Sequence, residues 1–197
     1  MKRFLIFLLV GAIAACAPPP DVSEKVVWYE QPKALQSFEL NDQHGNTITN
    51  TALQGSWTLL FLGYTSCPDI CPMTLLKLAH TYQVLESNED VDVWFVSVDP
   101  NRDTQQKRAA YIKHFNPEFK AVSAEHAQLF PFVKDLGLIY AINQQSDQDY
   151  YVDHSASVAL VNPQGQLEAI FKPTYAPGSV PTIDEKQLLT DLQHIIN

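Results

Sequence analysis

Two cysteines separated by three residues are the side chains of this sequence best suited to chemistry. Cys67 and Cys71 lie in the run Cys-Pro-Asp-Ile-Cys-Pro, and Pro72 suits the first position of a helix. We therefore expect Cys71 to be the N-cap of a helix, with both sulfurs held together near the positive end of the helix dipole. That position lowers thiol pKa values and favours the thiolate, which both binds metal and attacks disulfides.

The spacing of the two cysteines favours a metal site. A redox pair of the thioredoxin type has two residues between its cysteines, whereas this pair has three, which gives a wider bite for one ion. Soft sulfur ligands select copper(I), and this closed-shell ion accepts a three-coordinate set of two sulfurs and one nitrogen. The sequence therefore predicts a copper ion on Cys67 and Cys71, with a nitrogen donor from another part of the chain.

His154 has the most telling neighbours of the six histidines. It ends the run Tyr-Tyr-Val-Asp-His, shortly before an apolar strand that begins at Val158. The other five histidines lie in helical or loop contexts with no thiol nearby in sequence. Context alone leaves open whether His154 is a ligand or a packing residue.

Four segments of the chain resemble the SCO/SenC family of copper chaperones. They are Gly-Tyr-Thr-Ser-Cys-Pro-Asp-Ile-Cys-Pro at 63–72, Val-Ser-Val-Asp-Pro-Asn-Arg-Asp-Thr at 96–104, Val-Asp-His-Ser at 152–155 and Val-Asn-Pro at 161–163. The resemblance covers approximately residues 35–197. It implies a thioredoxin-like fold, a metal held by Cys67, Cys71 and His154, and delivery of copper to the dinuclear site of cytochrome c oxidase subunit II.

Three further residues near these motifs have predicted roles. A ligating histidine commonly has its other ring nitrogen fixed by a carboxylate or a carbonyl, so Asp99 and Asp153 are candidates to orient His154. Met73 could offer another sulfur, but it opens the apolar face of the helix, and we expect it to fill the core.

The N-terminus predicts a lipoprotein. Lys2 and Arg3 precede an apolar run, and the stretch Ile-Ala-Ala-Cys at 13–16 resembles the bacterial lipoprotein box. We therefore expect a signal peptide over 1–15, acylation of Cys16 and a tether over 16–34, with a single domain at 35–197. The protein would lie on the periplasmic side of a bacterial membrane.

The charge of the chain argues against two kinds of partner. Removal of residues 1–15 takes away two bases and no acid, so the formal charge changes from −9 to −11. An acidic surface repels phosphate backbones and anionic headgroups, so we expect no nucleic acid ligand, and a membrane contact through the lipid alone.

The elements that position the cysteines form an α/β pattern. A hairpin is predicted around a turn at 42–46, a buried strand over 57–64 leads into the cysteine segment, and strands and helices then alternate to about residue 136. Residues 143–149 are predicted to be a surface loop. A second hairpin at 158–171 and a last helix capped by Asp184 complete a mixed central sheet flanked by helices.

Two alternative functions remain open. A thiol-disulfide oxidoreductase would use Cys67 and Cys71 to reduce cysteines of the same subunit or of another envelope protein, and it would not need His154. A copper or redox sensor would signal by changing its partner. The predicted effect of His154→Ala, which is loss of copper binding with disulfide exchange intact, separates the first alternative from the chaperone.

Overall fold

The computed structural model describes residues 19–85, 90–144 and 150–197. The strands are β1 (Val26–Ala34), β2 (Glu39–Asn41), β3 (Thr47–Thr49), β4 (Trp57–Gly63), β5 (Val91–Ser97), β6 (Lys120–Val122), β7 (Tyr140–Gln144), β8 (Tyr150–His154), β9 (Val158–Val161) and β10 (Gln166–Phe171). The helices are α1 (Ile70–Leu85), α2 (Gln105–Phe115), α3 (His126–Asp135) and α4 (Glu185–Ile196), with a 3-10 helix at Asn50–Leu53.

A mixed six-stranded sheet forms the centre of the domain, as the sequence predicted. Its strand order is β1-β10-β9-β4-β5-β6, in which β4, β5 and β6 run parallel and the other neighbours antiparallel. The apolar run of β4 is buried on both faces because Leu60 and Leu62 pack into one half of the core and Leu59 and Phe61 into the other. The cysteine segment therefore leaves the sheet from a central, fixed strand.

Helices cover both faces of this sheet. Helices α1, α2 and α4 contribute to the core on the face of Leu59, whereas α3 packs on the face of Leu60. The side chain of Asp184 accepts a hydrogen bond from the Gln187 amide and caps α4, as predicted. The N-terminal hairpin is also confirmed, since β2 pairs antiparallel with β3.

The folded domain begins earlier than the predicted boundary at residue 35. Residues Val26–Ala34, which were expected to belong to the tether, form β1 and pair with β10 at the edge of the sheet. Pro32 falls where the register shifts between Trp28 and Lys33, and an edge strand tolerates such a proline. No periodic pattern marks the strand because it is only partly buried.

The region before β9 contains a hairpin that the sequence did not predict. Strands β7 and β8 pair antiparallel as a separate two-stranded sheet, with Tyr140 opposite His154. Residues 143 and 144, which were predicted to begin a surface loop, belong to β7; residues 145–149 lie outside the described part of the chain. His154 is thus the last residue of a strand.

The predicted signal peptide and Cys16 lie outside the described residues. Among the residues that the structure describes, no helix has the length and apolar character needed to cross a membrane.

Candidate metal centre

The structure brings together the three predicted metal ligands. The thiol sulfurs of Cys67 and Cys71 and a ring nitrogen of His154 all lie within 4.8 Å of one another. The cysteines follow the carboxyl end of β4, whereas His154 comes from the end of β8, 83 residues after Cys71. Two separate structural elements therefore supply the sulfur and the nitrogen donors.

The helix that carries Cys71 begins two residues earlier than predicted. Helix α1 starts at Ile70, so Cys71 lies inside the first turn and is not the N-cap. Pro72 is tolerated there because the amides of the first turn have no acceptor within the helix. Cys71 is completely buried as a result, whereas Cys67, in the loop before the helix, is half-buried.

Gly63 provides the space for the Cys71 sulfur. A Cβ atom at position 63 would lie 2.8 Å from Cys71 Sγ and 2.6 Å from Phe95 Cε2, both well inside van der Waals contact. A glycine at the end of β4 is therefore required by close packing, although its backbone is in an ordinary conformation. The sequence motif contains this glycine, but its spacing gave no indication of this role.

The two thiols have opposite electrostatic environments. Hydrogen bonding from the Cys71 thiol, with smaller contributions that include backbone amides, lowers the pKa of Cys67 to about 4 despite the cost of burial. Burial raises the pKa of Cys71 well above its ordinary range, and the neighbouring Cys67 sulfur reinforces the shift. At neutral pH the metal-free pair is therefore one thiolate at Cys67 and one thiol at Cys71.

His154 presents a free nitrogen lone pair to the sulfurs. Its Nδ1 lies 3.1 Å from the Ser155 carbonyl oxygen, which can only accept, so Nδ1 carries the proton in this contact. The other nitrogen, Nε2, lies 3.3 Å from Cys71 Sγ. The rings of Phe61 and Tyr64 pack edge-on against the imidazole, with centroids 5.9 and 6.1 Å away. This setting selects the tautomer that binds metal through Nε2.

Neither aspartate takes the predicted place on the histidine ring. The Ser155 carbonyl takes it instead, while the exposed Asp153 carboxylate accepts a hydrogen bond from Asn143 at 3.3 Å. Asp99 is fully buried and accepts from the Tyr150 hydroxyl at 2.5 Å. The hydrogen bond that orients the imidazole therefore comes from the backbone of the next residue, and both carboxylates make other contacts.

Met73 is not the core residue that the sequence predicted. Met73 is 42% exposed, although its neighbours Cys71 and Leu75 on the same helix are completely buried. Thr74, the next residue, is buried in its place.

Asp103 holds the loop that leads to Cys67, a role that sequence reasoning missed. Its buried carboxylate accepts hydrogen bonds from the Thr65 amide at 2.8 Å, the Thr65 hydroxyl at 2.6 Å and the Ser97 hydroxyl at 2.7 Å. The cap of α2 is the next residue, Thr104, whose side chain accepts a hydrogen bond from the Lys107 amide. Asp103 is therefore free to fix the strand ends of β4 and β5 to each other.

The donor set fits a soft metal ion reached from one side. A cavity of about 280 Å³ lies beside the group and is lined by residues of the cysteine loop, including Cys67 and Asp69, and of β8, including His154. Cys71 is not among its lining residues. Two sulfurs and one imidazole nitrogen make a three-coordinate set suited to copper(I), with the open side toward the cavity.

Comparison with known proteins identifies the relatives of this chain. The family model SCO1/SenC matches residues 29–186. The chain belongs to the SCO1/SenC family. An SCO2-like protein of Rickettsia typhi is 34% identical over 150 residues, which are 75% of this chain and 74% of the relative. The mitochondrial SCO1 homolog 1 of Arabidopsis thaliana is 37% identical over 129 residues, which are 64% of this chain but only 39% of the longer plant protein.

A solved SCO structure supports both the fold and the metal. The crystal structure of Arabidopsis thaliana ScoI with copper bound has a TM-score of 0.68 and 30% identity, and the match covers 80% of this chain and 97% of that one. The thioredoxin-like fold that the resemblance implied is thus confirmed. Copper is the metal found in that SCO relative, in agreement with the predicted ion.

Proposed function

We propose that this SCO1/SenC protein is a metallochaperone that holds copper(I) on Cys67, Cys71 and His154. By ligand exchange it would transfer the ion to the dinuclear copper site of cytochrome c oxidase subunit II. The observation that carries the proposal is the group of two thiols and one imidazole nitrogen within 4.8 Å, beside an open cavity. Because three-coordinate copper(I) leaves room for a further ligand, an incoming thiolate can bind before any resident ligand departs.

An anaerobic copper(I) titration of the reduced soluble domain tests the binding step. We expect wild type to bind one tight equivalent against a competing chromophoric chelator and His154→Ala to lose it. His80→Ala is a matched control, since His80 lies on the same helix as Cys71 but pairs with Glu185 on the surface. Equal affinity of wild type and His154→Ala would contradict the proposed ligand set.

The proposed recipient is tested by transfer. Copper-loaded protein is mixed with the metal-free soluble domain of subunit II, and the charge-transfer absorption of the dinuclear site is followed. Delivery is supported if the subunit II domain gains more copper from the copper-loaded protein than from the same amount of copper bound to the chelator alone. Retention of all the copper by this chain would contradict it.

We also propose that the protein is anchored by lipid at Cys16 on the periplasmic side of a bacterial membrane. The support is the lipoprotein box at 13–16. An anchor would also keep the metal site close to the proposed recipient. Metabolic labelling with a radioactive fatty acid tests the anchor, and labelling that persists in Cys16→Ser would contradict it.

One observation favours thiol-disulfide exchange as a second candidate function. The half-buried Cys67 has a pKa lowered to about 4, while Cys71 behind it is buried and protonated. Such a pair can attack a partner's disulfide through the Cys67 thiolate and then release the partner through Cys71, which leaves a Cys67–Cys71 disulfide and two reduced thiols on the partner. Exchange at the wild-type rate in His154→Ala would support this activity.

A further inference from the structure

The turn that follows β5 contains a fully buried carboxylate joined to two other side chains. Asp99 Oδ1 accepts a hydrogen bond from the Tyr150 hydroxyl at 2.5 Å, and Asp99 Oδ2 accepts one from Arg102 Nε at 2.5 Å. Asp99 has no solvent-exposed surface, whereas Arg102 is 25% exposed. A buried carboxylate needs such partners, because unpaired charge in the interior is strongly unfavourable.

Arg102 also contacts Tyr150, the residue that donates to Asp99. Its Nη1 donates to the Tyr150 carbonyl oxygen at 2.9 Å, and its guanidinium carbon lies 3.7 Å from the centroid of the Tyr150 ring. Burial and the hydrogen bond to Asp99 raise the pKa of Tyr150 to about 12, so the hydroxyl keeps its proton as a donor. The backbone, ring and hydroxyl of one tyrosine are therefore all held by a single turn.

Tyr150 is the first residue of β8, and His154 is the last. Strands β7 and β8 form a two-stranded sheet of their own, and the described residues show no backbone pairing of either strand with the central sheet. Such a hairpin is only marginally stable unless side chains fix it to the rest of the domain. Buried side chains of the hairpin, among them Tyr140 and Val152, pack into the core, and the contacts of Asp99 and Arg102 add a polar attachment at Tyr150, the end opposite the histidine.

The same turn fixes the other half of the metal site. Asp103, four residues after Asp99, accepts both hydrogen bonds from Thr65, two residues before Cys67. The segment 99–103 thus contacts both halves of the metal site. Asp103 holds the loop that carries Cys67, and Asp99 holds the hairpin that carries His154.

We propose that Asp99 and Arg102 are positioning residues for His154: they fix the β7–β8 hairpin through Tyr150 and so hold the imidazole at the distance that a metal shared with the cysteines requires. The expected effect on copper affinity rests on the proposed function, whereas the attachment of the hairpin does not. A nitrogen donor on a loosened hairpin spends part of its time away from the sulfurs, so copper binding weakens although no ligand has been removed.

Two substitutions test this role, and the same hairpin provides a matched control. Asp99→Asn replaces the buried charge, and Tyr150→Phe removes only the hydroxyl that donates to Asp99. Tyr151→Phe also removes one hydroxyl from a tyrosine of the same strand, but this side chain is 56% exposed. Each variant is measured for copper(I) affinity, for nitrogen coordination of the bound ion by X-ray absorption, and for amide hydrogen exchange of residues 150–154 in the metal-free protein.

We expect Asp99→Asn and Tyr150→Phe to weaken copper(I) binding about tenfold, to reduce the nitrogen signal and to accelerate exchange in β8. Tyr151→Phe should leave affinity and nitrogen coordination unchanged, and the alkylation rate of Cys67 should match wild type in Tyr150→Phe. Unchanged affinity and exchange in both test variants, or an equal loss of affinity in all three, would overturn the proposal. If wild type failed to bind copper tightly while exchange still rose only in the test variants, the copper function would fail and the attachment of the hairpin would stand.

Discussion

The unequal ionisation of the two thiols predicts how copper binding depends on pH. The pKa of Cys67 is lowered to about 4, chiefly by the Cys71 thiol, so above about pH 6 this ligand is already a thiolate. Cys71 is buried, and its raised pKa keeps its proton at and above neutrality. Copper(I) that binds both sulfurs must therefore displace one proton, and that proton comes from Cys71.

The size of the effect follows from that count of protons. Metal affinity changes by about a factor of ten per pH unit for each proton released on binding, and it rises with pH because the proton competes with the metal. One displaced proton thus gives about a tenfold rise in apparent affinity per unit. If both thiols kept the unperturbed value of 9.0, two protons would leave below that pH, and the rise would be about 100-fold per unit.

The assay is competition with a chromophoric copper(I) chelator whose own affinity is calibrated at each pH. Measurements between about pH 7.5 and 8.5 stay at or below the ordinary pKa of a cysteine thiol, where an unperturbed pair would still release protons on binding. Cys71→Ser is the control: it retains a hydroxyl that can donate to Cys67, and its weaker binding should be almost independent of pH. A slope near two in wild type, or a slope near one in Cys71→Ser, would refute this account of the pair.

Three other predictions test individual residues of the site. Cys67 should react with iodoacetamide at a rate nearly constant from about pH 6 to 8, whereas an ordinary thiol gains about tenfold per unit; a rising rate in peptide-mapped Cys67 would contradict the lowered pKa. Gly63→Ala should lower the free energy of unfolding in urea by about 1–3 kcal/mol, because its Cβ would meet Cys71 Sγ at 2.8 Å, and an unchanged midpoint would show that the sulfur moves freely. Asp103→Asn should cost about 1–3 kcal/mol in the same assay, since an amide oxygen replaces two carboxylate oxygens that accept three hydrogen bonds; wild-type stability would argue against that network.

The parts of the fold that the sequence predicted are those with a local signal. The continuous apolar run of β4 and the Asp184 cap of α4 need no knowledge of distant residues. Strand β1 was missed because its partner, β10, lies far along the chain, whereas β7 and β8 are neighbours in sequence that pair outside the main sheet. Periodicity is weak in strands at an edge or outside the main sheet, because only part of each is buried.

The candidate ligands were predictable from residue type and resemblance, whereas their supports were not. Cys67, Cys71 and His154 carry donor atoms that chemistry can recognise in a sequence. Asp103 reaches Thr65 across 38 residues, and Asp99 reaches Tyr150 across 51, so no spacing rule relates them. Asp99 was expected to touch the histidine ring, but it contacts Tyr150, the first residue of the strand that ends at His154.

The depth of the two sulfurs sets an order for the proposed transfer of copper. Cys71 is completely buried and does not line the cavity, whereas Cys67 and His154 do. An incoming thiolate can therefore approach the ion only from the side of Cys67 and His154, and these two ligands can be exchanged while Cys71 still holds the metal. Departure of copper from Cys71 comes last, and the buried sulfur then regains the proton that binding displaced, because burial favours its neutral form. Rebinding of the ion would have to displace this proton again, so the apparent affinity of the emptied site falls as the pH falls.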